Sequence, residues 1–197
     1  MSRAFTLIAC GIFQEEAEHV LKERPEAELR WLEVGLHDNL ELLESALEEA
    51  VKTHRPDPAA KPAGLLFGWG CLPWMRDFAR ERNLPVMPVK NCLAALVGDQ
   101  ELKELEKNNR LVASPGWIRK MWLGRSGTAT GWKADDFRLQ FGRYDQIVVL
   151  DPGLVPLTEE EIITCFDLVQ VPLEVRPCDL SHFRRLLLDL AGQIQGR

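Results

Sequence analysis

Three cysteines each follow an apolar run that reads as a β-strand. Phe5-Thr6-Leu7-Ile8-Ala9 ends in Cys10, and Gly64-Leu65-Leu66-Phe67-Gly68-Trp69-Gly70 ends in Cys71. Leu84-Pro85-Val86-Met87-Pro88-Val89 is followed by Lys90-Asn91-Cys92. If these strands run parallel in one sheet, the three thiols gather at its carboxyl edge, where open α/β sheets bind ligands. Three thiolates converging there suit a metal or iron–sulfur site and leave one coordination position open. The three are far apart in sequence, unlike the close Cys-x-x-Cys pairs of a zinc ribbon, so the expectation depends on the placement of the strands. The competing explanation is packing, because a free cysteine is among the most buried residue types and often serves as a small hydrophobe.

The turns favour a shared site. Gly11 follows Cys10, and Gly68 and Gly70 precede Cys71, so the backbone can come close to a ligand at each point. Helices starting after Cys10, Cys71 and Cys92 would aim their positive ends at one place and lower the thiol pKa values. That device serves a metal, a nucleophilic thiol or a bound anion equally. His37, in a turn between a strand and a helix, is a ligand or acid–base candidate, with a locally bonded helix-entry histidine as the alternative. Asp151, after the strand ending at Leu150, is a second polar candidate or simply the start of an Asp-Pro-Gly turn. Lys90 and Asn91, beside Cys92, suit an anion or the tuning of a thiolate. Cys165 sits in a helix-like stretch beside Ile162 and Phe166, where packing is the default, and Cys178 carries no assigned role. Trp69, Trp74, Trp117, Trp122 and Trp132 fall in turns or short helices and would wall a planar ligand, although packing explains each equally well.

The elements that must position these residues alternate between strand and helix. Helical patterns cover 11–23, about 40–54, 73–83, 92–108 with a break at Gly98, and 118–123. Strands are expected at 29–34, 111–113 and 147–150, besides those ending near the three cysteines. Asp38 or Asn39 caps the second helix, and Thr158 with Glu161 forms a capping box. A final strand over 169–175 lies at an edge because Pro172 lacks an amide donor. Asp179 or Ser181 then caps the last helix. Residues 55–63 hold three prolines and read as a loop, and 124–131 is rich in Gly, Ser and Thr and reads as a mobile loop. The expected architecture is a single Rossmann-like α/β domain over 1–197, three-layered, with a mostly parallel sheet covered on both faces.

Composition excludes several classes. The 197 residues are 46% hydrophobic and 27% charged, enough for a full core without disulfides. The net charge of −6 gives no basic field for a phosphate backbone, so nucleic acid is excluded as a partner. No segment reaches the roughly 18 apolar residues of a membrane helix. Leu7-Ile8-Ala9-Cys10 looks like a lipoprotein cleavage box, but the apolar stretch Ala4 to Ala9 is too short for a signal peptide. A cytoplasmic location is expected, and five cysteines in a reducing compartment are thiols or ligands rather than disulfides. The third glycine of a dinucleotide fingerprint is missing after Gly68-Trp69-Gly70, so NAD is not expected.

An ordered set of short motifs runs along the chain: Ala9-Cys10-Gly11, Gly35-Leu36-His37-Asp38, Gly68-Trp69-Gly70-Cys71, Asn91-Cys92 through Gly98, and Gly116-Trp117. With these motifs the chain resembles the prokaryotic "domain of unknown function" family 1638 over most of its length. It departs from that family's pattern at Trp69, Lys90 and Asn91. The resemblance implies a soluble protein of anaerobes that use corrinoid-dependent methyl transfer, and it favours an iron–sulfur cluster over zinc. The expectation is therefore a [4Fe–4S] cluster on Cys10, Cys71 and Cys92 acting on a small molecule in one-carbon or sulfur metabolism. Gly11, Gly70, Lys90 and Asn91 would line that site, with His37 and Asp151 as acid–base groups. The alternatives are zinc in the same site activating a thiol, a non-catalytic accessory protein of a corrinoid methyltransferase system, and a metal-free thiol nucleophile. The partners expected are a small-molecule ligand together with a homodimer mate or a methyltransferase-system protein.

Overall fold

The computed structural model describes residues 3–54, 61–124 and 132–196. The expected loop at 55–63 falls outside them as far as residue 60, and Ala63 already belongs to a strand. The expected mobile loop at 124–131 falls outside them apart from Gly124. The architecture is α/β and Rossmann-like with all-parallel strands. The expected single sheet is two three-stranded sheets, each in its own compact unit. One unit is formed by the chain up to Ala95 together with the segment from Ser181 on, the other by Leu96–Leu180.

The first unit is built on β1 (Phe5–Cys10), which lies between β2 (Ala27–Leu32) and β3 (Ala63–Leu66) and pairs in parallel with both. Phe5, Leu7, Ile8 and Ala9 are all fully buried, which is why β1 reads as an unbroken apolar run rather than an alternating one. Side chains alternate between the two faces of a strand. Ile8 and Cys10 of β1, with Ala63 and Leu65 of β3, pack against α2 (Leu40–His54) and α3 (Met75–Glu81) through Leu43, Leu47, Met75 and Phe78. The other face receives α9 (Ser181–Gln195), whose Ile194 occupies the space where a side chain on Gly64 would stand, 2.5 Å from that Cβ position. Phe183 of α9 stacks on Phe13 at 5.4 Å, just ahead of α1 (Gln14–Leu21). Three layers thus enclose β1, as the sequence predicts.

The expected strand at 84–89 is reduced to one parallel bridge between Leu65 and Val86. Pro85 and Pro88 have no amide hydrogen, so a continuous ladder is impossible. The segment still runs alongside β3: Leu65 N–H donates to Pro85 O at 2.8 Å and Met87 N–H to Leu65 O at 3.2 Å. The chain then enters α4 (Cys92–Val97), breaks at Gly98 with φ of 88°, and resumes as α5 (Asp99–Leu105).

In the second unit β5 (Gln146–Asp151) lies between β4 (Arg110–Ala113) and β6 (Leu173–Pro177). β6 is an edge strand, as Pro172 suggests, but it starts later than expected because α8 (Glu159–Val169) runs on through Val169. A short helical turn α6 (Pro115–Trp117) leads into a π-helical turn at Ile118–Leu123, and α7 (Ala134–Phe141) packs with α8. Trp117, Trp122 and Trp132 meet Phe137 and Phe141 edge-on or tilted. These tryptophans therefore form an aromatic cluster within this unit, with Trp122 only 2% exposed. Cys165 is fully buried in the same core, so packing accounts for it. No helix among the described residues is long and apolar enough to cross a membrane.

The start of α8 is tied down by charge. Glu161 N–H donates to Thr158 Oγ1 at 3.2 Å, and Thr158 N–H donates to Glu161 Oε2 at 2.8 Å, completing the expected capping box. Arg119 grips the same carboxylate through Nε (2.5 Å) and Nη2 (2.8 Å) and donates to Val155 O and Pro156 O. These bonds hold the Glu161 pKa at about 2, with Arg119 the largest cause. Because the folded pKa is depressed, this stabilisation is complete above the unfolded value near 4.5 and is lost as pH falls towards 2. Glu161→Gln is expected to destabilise the protein by about 1–2 kcal/mol near neutral pH, allowing for partial solvent screening. Urea unfolding of both proteins should show the gap closing between about pH 4.5 and 2.

Candidate functional site

Cys10 is the last residue of β1, Cys71 follows β3 through a glycine-rich turn, and Cys92 opens α4. All three are partly buried and belong to the first unit, and none is in a disulfide. What draws Cys71 towards Cys92 is a backbone contact beyond the end of β3. Trp69 N–H donates to Val89 O at 2.8 Å, and Gly70 N–H donates to Lys90 O at 2.8 Å. A Cβ on Gly68 would stand 2.4 Å from Lys90 O and 2.7 Å from Asn91 Cα, and one on Gly70 would stand 2.8 Å from Lys90 O. No side chain fits at either position without separating the two segments. Cys71 N–H then turns back onto Gly68 O at 3.1 Å.

Electrostatics registers the neighbourhood of the thiols. Burial pushes the Cys71 thiol up to about 11, and the charge of Cys10 adds to that rise. Burial pushes Cys92 up to about 12, with Cys71 and then Cys10 as further causes. Cys71 and Cys92 are harder to ionise chiefly because they are buried, and neighbouring thiols add to that. The expectation that helix ends lower the thiol pKa values is not met at these two cysteines. Backbone N–H groups of Cys92 and Leu93 do favour the Cys92 thiolate, but burial outweighs them. Burial thus disfavours Cys71 as a metal-free nucleophile at neutral pH. Among the described residues there is no group of three or more His, Cys, Asp or Glu that could hold a metal ion.

The remaining candidates fall in different places. Gly11 begins the short turn after β1, where an added Cβ would lie 3.1 Å from both Leu32 O and Val34 Cγ2. Asn91 is the cap of α4: its Oδ1 accepts from Ala94 N–H at 2.8 Å. Lys90 is exposed and contributes its carbonyl to the turn contact. His37 sits in a single helical turn after Gly35, which has φ of 84°. Its side chain is 45% exposed, with Nε2 3.6 Å from Asp38 Oδ1. Asn39 caps α2, accepting from Glu41 and Leu42 N–H. Asp151 belongs to the second unit, where its Oδ1 accepts from Gly153 N–H at 2.8 Å and its carbonyl accepts from Cys178 N–H at 2.9 Å. Its carboxylate therefore shapes the Asp-Pro-Gly turn. Arg76 escaped the sequence reading altogether. Its guanidinium lies 4.4 Å over the Trp69 ring, on the turn that leads to Cys71.

The family described as "Protein of unknown function (DUF1638)" matches residues 31–187. The chain belongs to that family. The matched stretch takes in His37, Cys71, Cys92 and Asp151, and begins after Cys10. No curated protein and no solved structure matches the chain. For this DUF1638 protein the local geometry therefore carries the functional argument.

The glycine contact yields a direct test. Gly68→Ala should lower stability by about 1–3 kcal/mol, since the backbone must move to admit the methyl group. Gly192→Ala in α9, where nothing lies within 4 Å of an added Cβ, should leave stability unchanged or raise it by up to about 1 kcal/mol. Equal effects of the two substitutions in chemical denaturation would contradict the contact.

Proposed function

We propose that Cys10, Cys71 and Cys92 hold an iron–sulfur cluster of the [4Fe–4S] type. The observation that carries this reading is that Cys71 and Cys92 flank the backbone contact between 68–70 and 89–91, while Cys10 ends the adjacent central strand, near enough for its charge to raise the thiol pKa of both. Thiols kept protonated by burial become thiolates when a cation compensates their charge, and metal binding expels their protons. The donor set fits the group, since iron–sulfur clusters are held by cysteine thiolates. A cluster also asks less of the thiol spacing than a single ion does. One tetrahedral zinc with sulfur bonds of about 2.3 Å gathers all its thiolates round one point, whereas each thiolate of a cluster takes a different iron. When bound through three cysteines, the cluster supplies one iron without a protein thiolate, a Lewis-acid position for a sulfur or oxygen donor.

The chain's own residues supply the rest. Gly68 and Gly70 let the Cys71 turn lie against Lys90. Asn91 fixes the first turn of α4 and so the position of Cys92. His37, half exposed and in the same unit as the cysteines, is the group we assign to proton transfer. Asp151 is already bonded in its turn, and we assign it no part in the chemistry. A small-molecule ligand and a reducing, cytoplasmic setting complete the proposal.

Anaerobic purification followed by iron, sulfide and zinc analysis tests it. The expected result is a brown protein with roughly four iron and four sulfide per chain. Cys10→Ala, Cys71→Ala and Cys92→Ala should each lose the metal, while Cys165→Ala keeps it. Equal metal content across the four variants, or about one zinc in place of iron and sulfide, would overturn the cluster assignment. Metal-free protein, handled without oxygen, would overturn the cluster and leave the accessory role and the free-thiol reading in front.

A further inference from the structure

Two cations lie against the turn Gly68–Cys71. The Arg76 guanidinium lies over the Trp69 ring, 4.4 Å from its centroid. A cation–π contact satisfies no N–H donor with an acceptor oxygen, so the guanidinium donors remain available to another partner. Lys90 reaches the next residue of the same turn: an added Cβ on Gly70 would meet Lys90 Cγ at 3.1 Å. The missing side chain at Gly70 is what lets the lysine stem lie against the turn. Both cations are exposed, and neither forms an ion pair among the described residues. Their neighbours do: Arg80 pairs with Asp77 at 2.7 Å and Arg82 with Glu48 at 3.3 Å.

We propose that this turn receives a small anion, a carboxylate or a phosphate, held by the in-plane donors of Arg76 and the ammonium of Lys90 beside Cys71. The inference deepens the three-cysteine reading, on which it rests for the group that the ligand would meet. It narrows the substrate class to small molecules bearing a negative oxygen group. A planar guanidinium fork pairs with two oxygens of such a group at once, and an ammonium adds a point charge.

Isothermal titration of the purified protein with inorganic phosphate and, separately, with malonate tests the site. Saturable binding of one probe is expected, and the probe that binds identifies the anion class. Lys90→Gln and Arg76→Gln should each weaken that binding about five- to tenfold. Lys90→Arg and Arg76→Lys should restore part of it, because they keep the charge, and Lys52→Gln in α2 should have no effect. Binding that is unchanged in both glutamine variants would overturn the inference, as would no binding of either probe. Iron and sulfide are measured on the same preparations. Full iron with unaltered anion binding removes the anion site and leaves the cluster. No iron, with binding that depends on Lys90 and Arg76, removes the cluster and supports the anion site.

Discussion

The approach of two backbone segments governs the candidate site. Beyond the end of β3, Gly68 and Gly70 lie so near Lys90 that a methyl group at Gly68 would stand 2.4 Å from a carbonyl oxygen. Two hydrogen bonds, from Trp69 to Val89 and from Gly70 to Lys90, run along this contact. They continue the pairing of β3 with its neighbour past the point where Pro85 and Pro88 have broken the ladder. Cys71 and Cys92 are the residues just outside this clasp on its two sides, and Cys10 comes from the adjacent central strand. Loss of the clasp would remove what brings Cys71 and Cys92 to the same end of the sheet.

Burial and charge act against each other at these thiols. A helix end favours a thiolate, yet α4 has only six residues, and the low-dielectric surroundings of Cys92 dominate. The result is that Cys71 and Cys92 are held as neutral thiols. That arrangement suits a site completed by a cation better than one that stores reactive thiolate. Cys165 shows the contrast: its thiol is also pushed up to about 12, but by burial alone, within an aliphatic and aromatic core. Raised pKa is thus no mark of function by itself, and what distinguishes Cys71 and Cys92 is the added effect of a neighbouring thiol.

The legible parts of the sequence were those where local chemistry decides the outcome. β1 and β5 are buried on both faces and read as continuous apolar runs. Thr158 and Glu161 announce the start of α8, and Gly98 announces the break before α5. The division into two sheets was not legible, because an apolar strand does not state which neighbour it pairs with. The start of β6 was misplaced because Val169 and Val171 are as apolar as a strand requires, although Val169 completes a helix. Asn91 offered the usual cap signal, a short polar residue before an apolar helical run, yet its place beside Cys92 drew the reading towards ligand chemistry. Arg76 was invisible for a different reason. Its role depends on the helix after Cys71 folding back over Trp69, a tertiary event with no local pattern.

The same fold-back bears on why this turn carries an aromatic residue. A cation beside a buried site normally needs a carboxylate to hold it in place, and that carboxylate would cancel the charge. The Trp69 face positions Arg76 without neutralising it. Lys90 is positioned by its own backbone bond to Gly70, again without an acidic partner. On a protein of net charge −6, two cations without an ion pair among the described residues thus stand beside the turn that delivers Cys71. Thiolates formed there would draw on that positive charge, and so would an anionic ligand arriving from solvent. Gly70, which helps bring the backbone segments together, also leaves room for the lysine stem, so one local constraint sets both the path of the chain to Cys71 and the placement of Lys90.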